Sequence, residues 1–131
     1  MKTMIDIDLL TVLIAALAYM VIGGFWYSDL LFGAIWRKLV KTEKRKPKGV
    51  QFLGSFLVAF IIAFFLALIQ AFLGVSTTVD GIYVGLVIWL GFVATTQFSA
   101  VIWAKKPVKL YLLDAGWTFL GFGVVGGIIG A

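Results

Sequence analysis

Four long apolar stretches, separated by short polar segments, make up most of the chain. They cover residues 9–27, 50–73, 79–103 and 110–130. A helix needs about 20 apolar residues to cross the hydrocarbon core of a bilayer. The pattern therefore predicts an all-α fold, a transmembrane bundle of four helices that forms a single membrane domain over residues 1–131.

Composition favours lipid rather than water as the solvent for these helices. Of the 131 residues, 63% are hydrophobic and 13% are charged, and the mean hydropathy is +1.11. Soluble globular proteins carry about 45–50% apolar and about 25% charged residues. We therefore expect the lipid bilayer to be the main partner of the chain.

Basic residues concentrate in two of the three links between the apolar stretches. The first link holds Arg37, Lys38, Lys41, Lys44, Arg45, Lys46 and Lys48, and the second holds Lys105, Lys106 and Lys109. Only Lys2 lies elsewhere. Because positive loops stay in the cytoplasm, we predict a multi-pass protein of the cytoplasmic membrane with both termini outside. We assign the basic links to orientation and to attraction of anionic headgroups; a lipid-specific or nucleic-acid function is the alternative.

The two halves of the chain resemble each other. A shift of 67 residues aligns 14 identities in 64 gapless pairs, among them Gly24-Phe25 with Gly91-Phe92. This register predicts a duplicated two-helix hairpin, a parallel repeat about an axis along the membrane normal. Coincidence between two hairpins under similar constraints is the alternative explanation.

Asp114 lies within the fourth apolar stretch, and Asp29 lies in an extension of the first stretch to residue 36. Ionisable groups inside a membrane are costly and are candidates for function. Together with nearby polar residues they predict one polar layer, consisting of Ser28, Asp29, Thr95, Thr96, Gln97, Asp114 and Thr118. Such a layer could form an ion or proton pathway. The alternative, which we favour, is a structural role: hydrogen bonds between helices, with the carboxylates reaching toward the interface or pairing with the basic links. Such hydrogen bonds are common in membrane proteins and contribute about 0.6 kcal/mol each.

Ser28 marks a candidate break in the first stretch. Residues 9–36 would form about 42 Å of helix, longer than the bilayer core requires. We predict a kink at which Ser28 caps a new helix, with Asp29 in its first turn. Residues 30–40 would then form an amphipathic segment at the cytoplasmic interface; a continuous tilted helix is the alternative.

Glycines four residues apart predict close helix packing. They are Gly81 and Gly85 in the third stretch, and Gly123, Gly126, Gly127 and Gly130 in the fourth. Small residues at this spacing let helix backbones approach closely. The spacing does not decide whether these faces meet within one chain or between chains. Because four helices make a thin bundle, we expect a homo-oligomer or a place in a larger membrane complex.

The chain has no cysteine and no histidine. Disulfides, thiolate nucleophiles, haem ligation and imidazole metal sites are therefore excluded. Two isolated carboxylates give general acid–base catalysis too little to work with. We expect no catalytic residues, no metal and no cofactor, and therefore not an enzyme.

Three motifs carry a resemblance to a known family. The first lies near the end of the first stretch and consists of Trp26, Tyr27, Ser28, Leu31, Phe32, Gly33 and Trp36. The second is the run Gly91-Phe92-Val93-Ala94-Thr95-Thr96, and the third extends from Lys109-Leu110 to Asp114-Ala115-Gly116-Trp117. In these motifs the chain resembles the small prokaryotic membrane proteins of domain of unknown function 1761, over nearly its whole length.

Two positions depart from the family pattern. Asp29 stands where the family usually has Pro, and Asp114 stands where it usually has Asn. A proline after Ser28 in relatives supports a helix break there. The usual absence of both acids argues against a carboxylate as the essential group of the family. The resemblance implies a prokaryotic membrane protein and no established activity.

Taken together, the sequence predicts a non-catalytic structural or accessory membrane component that associates with itself. The alternative is a small transporter or channel that uses the polar layer. A water-filled cavity reaching Asp29 or Asp114 would favour transport, whereas a dry interior packed with glycines would favour the structural role.

Overall fold

The computed structural model describes residues 7–43 and 48–131, which form five helices and contain no strand. The helices are α1 (Leu9–Trp26), α2 (Gly33–Val40), α3 (Gly49–Leu73), α4 (Thr78–Trp103) and α5 (Val108–Gly130). All but α2 are long and apolar enough to cross a membrane. The all-α prediction is confirmed, and the architecture is that of a multi-pass membrane protein. Among the predicted basic residues, Lys2, Lys44, Arg45 and Lys46 lie outside the described residues.

Local signals explain where the long helices begin and end. The Asp8 carboxylate accepts a hydrogen bond from the Leu10 amide at the start of α1, at 3.1 Å. The Thr77 hydroxyl accepts one from the Asp80 amide at the start of α4. Both are the side-chain caps that satisfy free N–H groups of a first turn. Gly74 ends α3 with φ +70°, a left-handed conformation that glycine adopts without strain.

Helix α5 is the centre of the bundle, because α1, α3 and α4 all pack against it. Helix α1 also packs against α3, whereas α3 and α4 hardly touch. Small side chains dominate the core where α1, α3 and α5 meet: Val12, Ala15, Ala16, Tyr19, Ala59, Ala63, Leu66, Ala67, Phe122 and Val125. Because alanine is short, the three helices approach closely at this point.

Glycines bring α4 and α5 into backbone contact. A Cβ atom added to Gly81 would overlap the carbonyl oxygen of Gly126, and one added to Gly126 would overlap that of Gly81. A Cβ on Gly85 would likewise overlap the Phe122 carbonyl. These glycine faces therefore meet within one chain.

Helix α4 contains a π-helical segment, Trp89–Ala94, that the sequence analysis did not predict. A π-helix shifts the backbone hydrogen bonds by one residue and is frequent at functional sites. Hydroxyl groups bind to the carbonyls of this segment. Thr95 donates to the Gly91 carbonyl at 2.8 Å, and Tyr111 of α5 donates to the Ala94 carbonyl at 3.0 Å.

The predicted break after α1 is present, but Ser28 does not cap the next helix. Its hydroxyl donates instead to the Phe25 carbonyl of α1, at 2.7 Å. Helix α2 begins at Gly33 rather than near residue 30, and its N-cap, Phe32, makes no side-chain hydrogen bond. Gly33 fixes this geometry, because a Cβ there would overlap the Tyr27 carbonyl. Asp29 therefore lies in the turn and not in a helix.

Candidate functional site

The end of α1 is joined to the start of α5 through Asp114. Tyr27 donates a hydrogen bond to one carboxylate oxygen at 2.5 Å, and the Lys106 ammonium group binds the other at 2.8 Å. Both oxygens of the acid are therefore engaged, in a site where its side chain is 20% exposed. This arrangement neutralises a carboxylate that would otherwise be costly inside the bundle.

Two tryptophans fit over glycines on the opposite helix. Trp26 donates from Nε1 to the Leu113 carbonyl at 3.0 Å, and its ring lies 2.9 Å from the position of a Cβ on Gly116. In the reverse direction, the Trp117 ring lies 3.1 Å from the position of a Cβ on Gly23. Larger residues at these glycines would push the rings away. We call the set Gly23, Trp26, Tyr27, Leu113, Asp114, Gly116 and Trp117 the motif junction.

Aromatic rings extend the motif junction along both helices. Tyr19 and Trp117 have ring centroids 4.3 Å apart, and Tyr27 and Trp117 are in edge contact at 6.3 Å. Tyr27 also contacts Trp36 at 5.8 Å, which ties α2 to the junction. Tilted and edge contacts of this kind are favourable because of the ring quadrupole. One tyrosine thus connects α1, α2 and α5.

The predicted polar layer separates into groups that face different surroundings. Asp114 and Thr118 face the bundle, and Thr118 accepts a hydrogen bond from Trp89 Nε1 at 2.9 Å. Thr95 and Thr96 are exposed and bind carbonyls of their own helix. Within residues 7–43 and 48–131, no hydrogen bond joins the side chains of two layer members.

Asp29 and Ser28 lie on the outside of the break. Asp29 forms an ion pair with Arg37 of α2 at 2.7 Å, with its side chain about half exposed. This pair holds the turn against α2, eight residues further on. It is separate from the pair that Asp114 makes with Lys106.

Two glutamines carry buried side-chain oxygens without a hydrogen-bond partner among the described residues, Gln70 Oε1 and Gln97 Oε1. Gln70 is only 2% exposed and donates to the carbonyl of Gly126 at 3.0 Å, which fastens α3 to the crossing of α4 and α5. Gln70 is not among the site residues predicted from the sequence. The sequence feature that could have identified Gln70 is a side-chain amide in an otherwise apolar stretch.

The predicted packing glycines fall into two sets. Gly81, Gly85, Gly126 and Gly130 form the crossing of α4 and α5. Gly123 and Gly127 face the side chains of Leu86 and Ile82 instead. This second set lies in an apolar groove between the two helices that opens on the surface of the bundle and is also lined by Phe119 and Val124.

Comparison with known proteins decides the family. A family model described as Protein of unknown function (DUF1761) matches residues 10–130. The chain belongs to the DUF1761 family. No curated protein and no solved structure gives a significant match. The DUF1761 assignment confirms the resemblance drawn from the three motifs.

The first and third DUF1761 motifs meet in the motif junction. Trp26 and Tyr27 of the first motif contact the backbone and side chains of residues 113–117, and Gly33 allows the turn that follows. Phe32 packs against the Trp26 ring at 4.6 Å, while Leu31 is exposed. Two of the three motifs that carry the resemblance therefore form one contact between the first and last spans.

Proposed function

We propose that this protein is a non-catalytic structural or accessory component of the prokaryotic cytoplasmic membrane. One observation carries the proposal: the groups expected to do chemistry are bound to the protein itself. Asp114 is held by Tyr27 and Lys106, and the threonine hydroxyls bind carbonyls of their own helices. Side chains whose hydrogen bonds are made within the protein stabilise the bundle, and few polar groups are then left to act on a substrate.

Copurification tests the structural role. After mild crosslinking in native membranes, we expect the chain to elute with further copies of itself or with a membrane protein in fixed stoichiometry. The variant Asp114→Leu should lower the yield of that assembly, because it disrupts the motif junction. A monomeric chain that turns over a small molecule would contradict the proposal.

The orientation we propose places both termini outside and the basic links in the cytoplasm. Among residues 7–43 and 48–131, the end of the bundle with these links carries seven basic and three acidic residues, a net charge of +4, and the opposite end carries Asp8 and Asp80, a net charge of −2. Because the chain has no cysteine, single variants Thr42→Cys and Ser76→Cys can be labelled selectively. In intact cells an impermeant maleimide should label only Ser76→Cys; labelling of Thr42→Cys alone would reverse the orientation.

Self-association would need surfaces other than the crossing of α4 and α5, whose glycines are already in contact. Gly24, Gly54 and Gly91 lie on three different helices, and a Cβ on each would have no described atom within 4 Å. We expect Gly24→Leu or Gly91→Leu to weaken the oligomer without unfolding the monomer. Light scattering in detergent would measure this, with Gly126→Leu as the variant that unfolds the bundle.

A duplicated hairpin is also part of the proposal. In the 67-residue register, the π-helical segment Trp89–Ala94 corresponds to residues 22–27, where α1 ends. Both halves thus interrupt a regular helix at corresponding positions. If the hairpin was duplicated, we expect a family member of half this length, with one hairpin per chain, in which two chains assemble into the four-helix bundle.

Transport of an ion or small solute is the second candidate. The observation that favours it is Gln97 Oε1, a buried acceptor in the polar layer with no described partner. Flux of a marker ion into liposomes that depends on Gln97, and that falls in Asp29→Asn and Asp114→Asn, would support this function. Flux equal to that of empty liposomes would eliminate it.

A further inference from the structure

Helix α2 is amphipathic. Arg37 and Lys38 lie about 100° apart around the helix, and Ile35 and Val40 point to the other side. Lys41 is the C-cap residue that follows. Leu30, in the turn before α2, is 81% exposed. Basic residues on one side and exposed apolar residues on the other are typical of a helix that lies in a membrane interface.

The second basic link lies beside α2. Helix α2 packs against α5, and Trp36 contacts Tyr27, whose hydroxyl binds the same carboxylate as Lys106. Trp103, at the end of α4, is 84% exposed next to this link. Two basic segments that are far apart in the sequence therefore form one surface, bordered by exposed apolar residues.

The charge of this surface is only partly neutralised. Asp29 pairs with Arg37, and Asp114 pairs with Lys106. Throughout the described part of the chain, no acidic side chain forms an ion pair with the four exposed lysines of this surface, which are Lys38, Lys41, Lys105 and Lys109. We call these four residues the basic face.

We propose that the basic face binds the headgroups of anionic phospholipids, with α2 lying along the membrane surface. Charge complementarity identifies the lipid class, because each basic residue near an anionic membrane contributes about 1 kcal/mol. Leu30, Ile35 and Trp103 favour a lipid over a soluble polyanion, since acyl chains would cover these side chains and a nucleic acid would leave them in water. The inference depends on neither the structural role nor the orientation.

Spin-labelled lipids test the proposal with the full chain in mixed vesicles. We expect motionally restricted phosphatidylglycerol to exceed restricted phosphatidylcholine at equal concentrations. The variant Lys38→Gln/Lys41→Gln should reduce this preference by about fivefold per lysine. The preference should also vanish at 1 M salt, where the screening length is about 3 Å. An unchanged preference in the double variant would overturn the proposal.

A matched pair of acidic variants gives the opposite change. Asp29→Asn releases Arg37 beside the basic face, and Asp80→Asn alters charge equally at the other end of the bundle. We expect a two- to fivefold gain in preference, approximately, for Asp29→Asn and none for Asp80→Asn. Equal gains in both variants would mean that net charge alone acts, and would overturn the proposal.

Competition distinguishes lipid from other anions. Inorganic phosphate and an RNA homopolymer are added at matched ionic strength to vesicles that contain the labelled phosphatidylglycerol. We expect neither to displace the lipid more than chloride does. Displacement by phosphate would indicate a site for free phosphate, and displacement by RNA would indicate a nucleic-acid surface; either result would overturn the proposal.

Discussion

Individual polar side chains in this protein mostly bind to backbone. Ser28, Thr95 and Trp26 each make a hydrogen bond to a main-chain carbonyl. In a bilayer no water is available for such carbonyls, so a side-chain donor next to an irregular turn has a clear use. This explains why polar residues cluster near the break and the π-helical segment.

Asp114 provides the first prediction. Asp114→Asn keeps an acceptor for Tyr27 and loses the charge that binds Lys106. We expect it to lower the free energy of unfolding by about 1 kcal/mol. Asp114→Leu leaves both partners without an acceptor, and we expect a loss of about 3 kcal/mol. Unfolding in mixed micelles measures both.

The matched control is Tyr27→Phe, which removes only the hydroxyl group. Combined with Asp114→Leu, it should cost less than the sum of the two single variants, because both act on one hydrogen bond. Strict additivity would show that Tyr27 and Asp114 are not coupled.

For individual residues, the sequence predicts which side chains are candidates better than it predicts which residues they contact. Asp114 and the first motif were recognised as candidates, but their contact spans 87 residues of sequence and no spacing rule reveals it. Ser28 was correctly placed at a break. Its capping role was wrong because the turn is shaped by Gly33 against the Tyr27 carbonyl, a tertiary constraint.

The packing of α4 against α5 depends on glycines, which have no side chain, more than the packing of any other pair of described helices. The carbonyl of Gly126 lies where a Cβ of Gly81 would be, and backbone cannot rotate away as a side chain can. Gln70 of α3 binds the same carbonyl and adds a third helix to the contact. This crossing is therefore intolerant of added atoms.

Alanine substitution at two glycines tests this intolerance. We expect Gly126→Ala to destabilise the protein by about 3 kcal/mol through overpacking. Gly24→Ala has open space and should be neutral or stabilising by up to about 1 kcal/mol, since alanine favours helix. Both are measured by thermal unfolding in the same detergent. Similar effects at the two positions would contradict the crossing.

The π-helical segment gives a second prediction for an element. Replacing Thr95 and Thr96 with valine removes the hydroxyls that bind the Gly91 and Phe92 carbonyls. We expect a loss of about 0.6 kcal/mol for each hydrogen bond. Backbone amide exchange around residues 91–96 should increase.

Ser99→Ala is the control for this pair, because Ser99 is exposed in the same helix and its side chain makes no hydrogen bond in the described structure. Its amide exchange should not change. If amide exchange increased equally in Thr95→Val, Thr96→Val and Ser99→Ala, the cause would be the loss of a polar side chain and not the loss of the carbonyl contacts.

Hydropathy predicted the long elements well, since the four helices lie within two residues of the predicted stretches. The π-helical segment could not be predicted because Trp89–Ala94 are apolar like the rest of their stretch, and hydropathy does not distinguish a π-helix from an α-helix. Glycine spacing predicted close approach but could not identify the partner. That required the fold, in which the two faces belong to one chain.

For the whole molecule, α5 holds the other spans together. Helices α3 and α4 hardly touch, and each reaches the other through α5. A chain without α5 would therefore retain the α1 and α3 pair and lose the position of α4.

A divided chain tests this role. We expect the fragment 1–104 to be degraded rapidly by protease in membranes, because its helices lack their common partner. Coexpression with the fragment 105–131, which keeps Lys106 beside Asp114, should restore protection and allow the two fragments to copurify. Protection of 1–104 alone would show that α5 is dispensable.

The sequence separation of 87 residues from Tyr27 to Asp114 has a consequence for biosynthesis. At about 5–20 residues per second, the ribosome needs roughly 4–17 s to make the second partner after the first. During that interval the phenol of Tyr27 and the indole of Trp26 lack their partners on the last span. Only at the membrane surface, the position that Tyr and Trp favour, can water bind their polar groups. A nascent first span is thus kept near the headgroups until the last span arrives.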